Sequence, residues 1–218
     1  MKLLSVNVAL PKEVVVNGQK VLTGIFKEPV EGRVRVRRLN LDGDRQADLS
    51  VHGGPDKAIY AYPAEHYDYW RRELAGAELP WGMLGENLTT EGLREEEVRL
   101  GERFRIGSAE LVVTQPRLPC YKLGVKFGDI GMVKRFLASR RTGFYLAVAQ
   151  EGEVGAGDSI ELLARDPAAV TVADVTRLYA FERDDDEGLE RALASEALPD
   201  GWRDYFAKQL RRLERTSG

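Results

Sequence analysis

The sequence predicts an α+β fold, with a strand-rich part that forms a closed or nearly closed β-barrel and a small C-terminal three-helix subdomain. Many short segments of β character, separated by turn residues, follow one another up to about residue 164. Beyond Arg165-Asp166-Pro167 the strand signals stop and apolar residues recur at helical spacing. We therefore place a β-barrel domain at 1–165 and the helical subdomain at 166–218.

The strands of the first part are predicted from alternation, apolar runs and turn residues. The opening residues read as a first strand, and residues 14–16 and 21–26 flank Asn17-Gly18, a strong hairpin signal. The other predicted strands are 33–37, 39–41, 58–62, 86–89, 103–106, 110–114, 144–149 and 160–163. Residues 152–158 read as a turn because they are rich in glycine.

Helical spacing predicts short helices over 65–74 and 132–139 in the first part. In the second part, Thr171 to Asp174 resembles a capping box that starts a helix, and two more helices follow over about 187–198 and from about 201. The last helix carries an apolar stripe that we expect to form the core of the subdomain. Its charged face is predicted to be exposed and suited to an acidic partner, and comprises Arg203, Lys208, Arg211 and Arg212.

Composition excludes several functional classes. The 218 residues include 32 Lys and Arg against 35 Asp and Glu, so no bulk positive charge favours nucleic-acid binding. The single cysteine excludes an intramolecular disulfide and a cysteine-based zinc ribbon, and the two histidines exclude a three-histidine metal site. No apolar run is long enough for a membrane span and the start does not read as a signal peptide, so we expect a cytoplasmic protein.

The cysteine, Cys120, lies in a segment that the sequence makes rigid. Pro116 and Pro119 cannot continue the preceding strand, and Arg117 and Lys122 would favour the thiolate form of the cysteine. Thiolates attack electrophiles and bind soft metals. A buried, unreactive cysteine is the alternative that this segment leaves open.

A second polar segment runs from residue 42 to residue 57 and is predicted to be a long loop. Arg45, His52 and Lys57 are candidate contacts for an anion, and Gly53-Gly54 would let the backbone approach a ligand closely. A turn capped by its own aspartates is the structural alternative. Calcium binding is disfavoured because the glutamate of an EF-hand loop is replaced by Gly53.

A third segment, residues 85–90, offers uncharged polar groups. Asn87 and Thr89 suit a heterocycle with ring nitrogens and carbonyls, whereas the structural alternative is the start of a strand. We expect this segment, the 42–57 loop and Cys120 to line one cleft. Phosphate-loop, dinucleotide-binding and serine-hydrolase motifs are absent from the sequence.

Taken together, these segments resemble the MOSC domain family, named for the C-terminal domain of molybdenum cofactor sulfurase. The resemblance rests on Asp42-Gly43-Asp44-Arg45-Gln46-Ala47-Asp48, Val51-His52-Gly53-Gly54-Pro55-Asp56-Lys57, Gly85-Glu86-Asn87-Leu88-Thr89 and Gln115-Pro116-Arg117-x-Pro119-Cys120. It is strongest toward the YiiM-type members, which pair a MOSC β-barrel with a C-terminal three-helix domain.

The resemblance implies a site for the molybdenum cofactor (molybdopterin), with Cys120 as the catalytic residue and molybdenum ligand. The residues implied to bind the cofactor are Arg45, His52, Gly53, Gly54, Lys57, Asn87, Thr89 and Arg117. It further implies two-electron reduction of N-hydroxylated compounds such as hydroxylamino purines.

The implied reductase needs electrons from a separate protein, a flavoprotein or an iron–sulfur reductase, because one cysteine cannot hold an iron–sulfur cluster. Two other functions stay open at this point. One is a non-redox sulfur carrier that uses a Cys120 persulfide in cofactor or metal–sulfur assembly, and the other is a cofactor-free protein that binds small anions only.

Overall fold

The computed structural model describes residues 1–16 and 18–217, and Asn17 of the predicted turn lies outside the described residues. The strands are β1 (Lys2–Val8), β2 (Lys12–Val16), β3 (Gln19–Thr23), β4 (Glu28–Pro29), β5 (Arg33–Arg37), β6 (Asn40–Leu41), β7 (Ile59–Pro63), β8 (Leu88–Glu91), β9 (Arg103–Ile106), β10 (Ala109–Pro116), β11 (Phe144–Gln150), β12 (Gly152–Gly155) and β13 (Ile160–Ala164). The helices are α1 (Leu49–His52), α2 (Glu65–Glu73), α3 (Tyr121–Phe127), α4 (Gly131–Ala138), α5 (Val172–Ala180), α6 (Asp186–Ala194) and α7 (Asp200–Ser217). The fold class is α+β, as predicted, and within the described chain no helix is both long and apolar enough to cross a membrane.

The largest element is an eight-stranded mixed sheet in the order β13-β9-β10-β11-β7-β8-β1-β4. Its neighbours pair antiparallel except β7 and β8, which are parallel. The two ends of this sheet approach each other, since Leu3 N–H donates to Asp158 O at 2.9 Å and Ile160 N–H donates to Met1 O at 3.0 Å. Among the described residues, the predicted barrel is therefore an open, curved sheet. Isolated backbone hydrogen bonds join its two ends, and no continuous strand pairing closes it.

Two smaller sheets extend this framework. The β2–β3 hairpin forms as predicted, with Val14 opposite Val21. The hairpin ends at Thr23 instead of continuing to residue 26. The next residue, Gly24, packs closely on the backbone of Arg45, where an added Cβ would lie 2.5 Å from the Arg45 carbonyl oxygen.

The predicted turn over 152–158 is wrong in its first half, because β12 pairs with β5 there. A Cβ added at Gly152 would lie 2.4 Å from the carbonyl carbon of Ser108, so no side chain would fit there. The glycine thus marks close packing inside a strand and not a turn.

Most predicted helices form within a few residues of the expected bounds, but two predictions need correction. The 42–57 loop contains α1 and a short 3₁₀ helix, Pro55–Lys57. The helix predicted over 187–198 ends at Ala194, because Ser195 is extended. In addition, α3 follows Cys120 directly and was not predicted, since seven residues with an internal glycine give little periodic signal.

The three C-terminal helices pack on one another and on the large sheet. The predicted capping box is confirmed, with the Thr171 hydroxyl and the Asp174 carboxylate each accepting from the other residue's backbone N–H. Trp202 Nε1 donates to Gln115 Oε1 of β10 at 3.0 Å, so the apolar stripe of α7 shares a core with the sheet.

The predicted exposed face of α7 also needs one correction. Arg203 is half-buried, and its guanidinium donates to the carbonyls of Leu193 and Ser195 at the end of α6. It therefore closes the end of that helix, whereas Lys208, Arg211 and Arg212 are exposed as predicted.

The turn before β11 gives the first testable prediction. Gly143 has φ +64°, and a Cβ there would lie 2.5 Å from Ala61 O of β7, so Gly143→Ala combines backbone strain with a collision. We expect a loss of about 3 kcal/mol or more in the free energy of unfolding, measured by urea denaturation.

Gly128→Ala is the matched control, because Gly128 has nearly the same φ of +66° and nothing within 4 Å of an added Cβ. It should cost only about 1 kcal/mol. Equal losses in the two variants would show that the contact with β7 contributes nothing.

Candidate functional site

A cleft opens where the 42–57 segment, residues 85–87 and the Cys120 loop meet, beside the chain that leaves β3. Its lining residues are Thr23, Gly24, Ile25, Lys27, Asp44, Arg45, Gln46, Ala47, His52, Lys57, Tyr60, Gly85, Asn87, Arg117, Leu118, Cys120, Lys122 and Tyr145. The structure thus brings together most of the predicted site residues: Arg45, His52, Lys57, Asn87, Arg117 and Cys120.

The structure does not place Gly53, Gly54 or Thr89 in the lining of this cleft. Gly54 has φ +95° and starts the 3₁₀ helix, and Gly53 packs tightly on Leu49. Thr89 is fully buried, where its hydroxyl donates to Glu86 at 3.0 Å. In this structure their local role is to shape the backbone that presents the neighbouring side chains.

Cys120 lies between a strand end and a helix start. β10 ends at Pro116, and Cys120 is the N-cap residue of α3 with an extended backbone. The thiol is therefore near the positive end of a helix, where the backbone N–H of Lys122 is available to it. The two prolines and the helix start hold the side chain in one orientation.

The thiol of Cys120 is more acidic than an ordinary thiol. Burial raises its pKa, but a hydrogen bond with His52, the charge of Arg117 and the backbone N–H of Lys122 outweigh burial and lower the pKa to about 7. A substantial part of the protein carries a thiolate at neutral pH, which is the form that binds metals and attacks electrophiles.

Arg117 is buried beneath the cleft. Its guanidinium carbon lies 5.2 Å from the ring centre of Tyr60 and 4.9 Å from that of Phe136. This contact with two aromatic rings stabilises a charge that has little access to water.

Two buried polar atoms at the cleft have no hydrogen-bond partner among the described residues, which also indicates a ligand. In the described chain, five buried side-chain atoms lack a hydrogen-bond partner, and two of them, Arg117 Nη1 and His52 Nδ1, belong to residues that line this cleft. Buried polar atoms without a partner are costly, so these two atoms indicate that a bound group completes the site.

The cleft is cationic. Arg45, Lys57 and Lys122 line it together with Arg117, whereas Asp44 is paired with the buried Lys27. Burial lowers the pKa of Lys27, although the neighbouring Asp44 opposes this effect. Because Lys27 balances the charge of Asp44, the remaining cations favour an anionic ligand.

Asn87 lines the cleft but uses its amide on the backbone. Its Oδ1 accepts from Tyr60 N–H at 3.1 Å and its Nδ2 donates to Asn7 O at 3.2 Å. The side chain thus ties β7 to β1 at the point where β8 begins. This is the structural alternative that the sequence left open for this segment.

The sequence interpretation missed several residues of the site. Tyr60, Tyr145 and Lys27 line the cleft, and their strand or loop patterns gave no functional signal. Glu86 lies between the lining residues Gly85 and Asn87 in sequence but outside the lining, and its buried carboxylate accepts from Gly82 N–H at 2.8 Å and Leu84 N–H at 3.1 Å. Burial raises the pKa of Glu86, and the donors around its carboxylate oppose this change.

Comparison with known proteins adds independent information. The chain matches the MOSC domain family over residues 48–161 and the YiiM-like 3-alpha helix domain over residues 170–213. It is 42% identical to the uncharacterized protein YflK of Bacillus subtilis over 210 residues, 96% of this chain and 95% of YflK. A crystal structure of YiiM from Geobacillus stearothermophilus superimposes with a TM-score of 0.79 at 34% identity, covering 96% of this chain and 98% of that one.

A more distant relative is a Gibberella moniliformis protein named "Reductase". The identity is 32% over 164 residues, which cover 74% of this chain but only 29% of the fungal protein. The remainder of that larger protein has no counterpart in the aligned part of this chain.

The acidified thiol gives the second prediction. Alkylation of Cys120 by iodoacetamide should follow a midpoint of about 7, because the thiolate is the reactive form. His52→Ala removes the hydrogen bond and should raise the midpoint by about 1 unit, which slows alkylation at pH 7 by about fivefold. A midpoint near the ordinary thiol value in the unsubstituted protein would contradict the described environment.

Proposed function

The chain belongs to the MOSC domain family, and on that basis we propose that it is a molybdenum-cofactor-dependent reductase of N-hydroxylated compounds such as hydroxylamino purines. The observation that carries the proposal is the acidified thiol of Cys120 at a cationic cleft. The name of the fungal relative supports a redox activity within this family.

The residues of the cleft fit the molybdenum cofactor. A thiolate is a soft ligand that suits a metal already held by sulfur, and Cys120 supplies one at neutral pH. The cofactor carries a phosphate, for which Arg45, Lys57 and the unpartnered Nη1 of Arg117 are suitable donors. When bound, the cofactor would supply the two-electron redox chemistry that the side chains lack.

The overall reaction consumes two electrons and two protons. The N–O bond of the substrate breaks, the nitrogen keeps its hydrogen and takes up one proton to become an amine, and the hydroxyl takes up the other proton and leaves as water. Side chains in the cleft can hold the protons: His52 lines the cleft, and its Nδ1 is buried and has no hydrogen-bond partner among the described residues. We assign His52 the role of holding one proton at that atom.

The uncharged part of the cleft would take the substrate. Ile25, Leu118 and the ring of Tyr145 line it without adding charge. Such a surface suits the planar, largely apolar face of a purine base.

A sulfur carrier is the second candidate, because an acidified thiol also suits formation of a persulfide. Metal analysis separates the two functions. Protein purified from a host that makes the cofactor should contain stoichiometric molybdenum if it is a reductase. Labile sulfane sulfur without molybdenum would support the carrier instead.

The third prediction concerns Cys120→Ser. The hydroxyl is nearly the same size but is a poor ligand for a soft metal and cannot form a persulfide. We expect reduction of a hydroxylamino purine to fall by about 100-fold or more while the unfolding temperature stays nearly unchanged. A serine variant that works at the original rate would overturn the proposed role of Cys120.

The electrons would come from a separate flavoprotein or iron–sulfur reductase, and the C-terminal helices offer a surface for it. A groove there has Phe181 and Tyr205 beside cationic Arg183, Lys208 and Arg212, with Asp184 as an acidic residue in its lining. We propose that an acidic face of the donor binds at this groove, so that association weakens as salt rises.

Charge reversal tests this surface more sharply than truncation, because α7 shares a core with the sheet. Lys208→Glu should slow turnover driven by a protein donor by about threefold to tenfold at low salt, without changing turnover with a small artificial donor. Arg35→Glu reverses an exposed charge on β5 and is the matched control. Equal effects of both reversals would exclude the groove as the docking surface.

A further inference from the structure

A buried carboxylate far from Cys120 in sequence is joined to the Cys120 loop through hydrogen bonds. Glu95 is 1% exposed, and its Oε2 lies 2.6 Å from Nε2 of the buried His66. Its other oxygen, Oε1, accepts from Gly143 N–H at 2.6 Å. The cleft described above does not include either Glu95 or His66 in its lining.

The turn that Glu95 holds is connected to Arg117. The carbonyl of Gly143 accepts from the backbone N–H of Arg117 at 3.1 Å. Gly143 therefore donates its own N–H to Glu95 and accepts a hydrogen bond from Arg117. The carbonyl of Thr142 accepts from the Tyr60 hydroxyl at 2.8 Å, and the Tyr60 ring lies against the Arg117 guanidinium. Two separate paths therefore run from this turn to Arg117.

The segment that leads into the turn contains an unusual backbone conformation, and the turn itself requires a glycine. Arg140 has φ +60°, which is rare for a residue with a side chain, and Gly143 has φ +64°. Hydrogen bonds that a backbone N–H donates to a buried carboxylate are among the stronger ones in proteins, and such a bond can hold this segment in place.

We propose that Glu95 is a positioning residue that, through the Thr142-Gly143 turn, holds Arg117 and the loop as far as Cys120 against the cleft. His66 fixes the Glu95 carboxylate from the opposite side. The proposal rests on the site assigned above, but the hydrogen bonds it invokes join residues of this chain alone. It can therefore be tested, and can fail, independently of the reductase activity.

The test compares variants of the cofactor-free protein by ¹H–¹⁵N NMR and by alkylation of Cys120. In Glu95→Ala, the Gly143 amide should lose the strong downfield shift of a carboxylate-bound N–H, and the slowly exchanging Nε–H signal of Arg117 should weaken. Alkylation of Cys120 by iodoacetamide at pH 7 should slow by about fivefold, because the guanidinium no longer favours the thiolate. In Glu95→Gln the amide oxygen can still accept from Gly143, so this variant should retain the Arg117 signal and the alkylation rate.

Glu102→Ala is the matched control, because Glu102 is a fully buried glutamate whose carboxylate pairs with Arg165 and not with the turn. It should destabilise the fold but leave the Arg117 signal and the alkylation rate unchanged. If Glu95→Ala does not fold, Glu95→Asp replaces it, since the carboxylate is withdrawn from Gly143 by one methylene. Equal changes in the Glu95 and Glu102 variants, or a lost Gly143 shift with an unchanged alkylation rate, would overturn the proposal.

Discussion

The buried guanidinium of Arg117 is the feature on which the rest of the site depends. Burying a cation is costly, and here the ring faces of Tyr60 and Phe136 offset part of that cost while one guanidinium nitrogen keeps no partner in the described chain. The same charge favours the thiolate of Cys120. The position of one side chain thus links the aromatic packing below the cleft to the acidity of the residue at its surface.

Sequence patterns revealed the parts of this arrangement that are local. The two prolines around Arg117 predicted a rigid loop, and Thr171 with Asp174 predicted a helix start, because each signal lies within a few residues. The sequence could not reveal what depends on distant contacts. Glu95 reaches Gly143 across 48 positions, and Gly152 is a strand residue only because Ser108 lies against it. The same limit applies to Asn87 and Thr89, which the sequence predicts as ligand contacts and whose polar groups form hydrogen bonds within the protein in this structure.

The relation between the sheet and the C-terminal helices follows from packing. The apolar stripe of α7 belongs to one core together with residues of the other two helices and of the large sheet. Trp202 completes its burial against β10 and donates to Gln115, one residue before Pro116 starts the Cys120 loop. The helices therefore contact the strand that carries the site, although none of the residues that the structure describes in them lines the cleft.

In the proposed reductase, the distribution of charge in the cleft would separate binding of the cofactor from binding of the substrate. The chain as a whole has a net charge of −3, yet the cleft collects Arg45, Lys57, Lys122 and Arg117 around one paired aspartate. An N-hydroxylated purine base carries no charge at neutral pH, so these cations would contribute little to binding it. They suit an anionic group that stays in the site, and the oriented thiolate suits a metal that this group brings. In the proposed reductase, recognition of the substrate would then depend on the apolar and aromatic lining, where a change of shape would alter specificity without weakening binding of the cofactor.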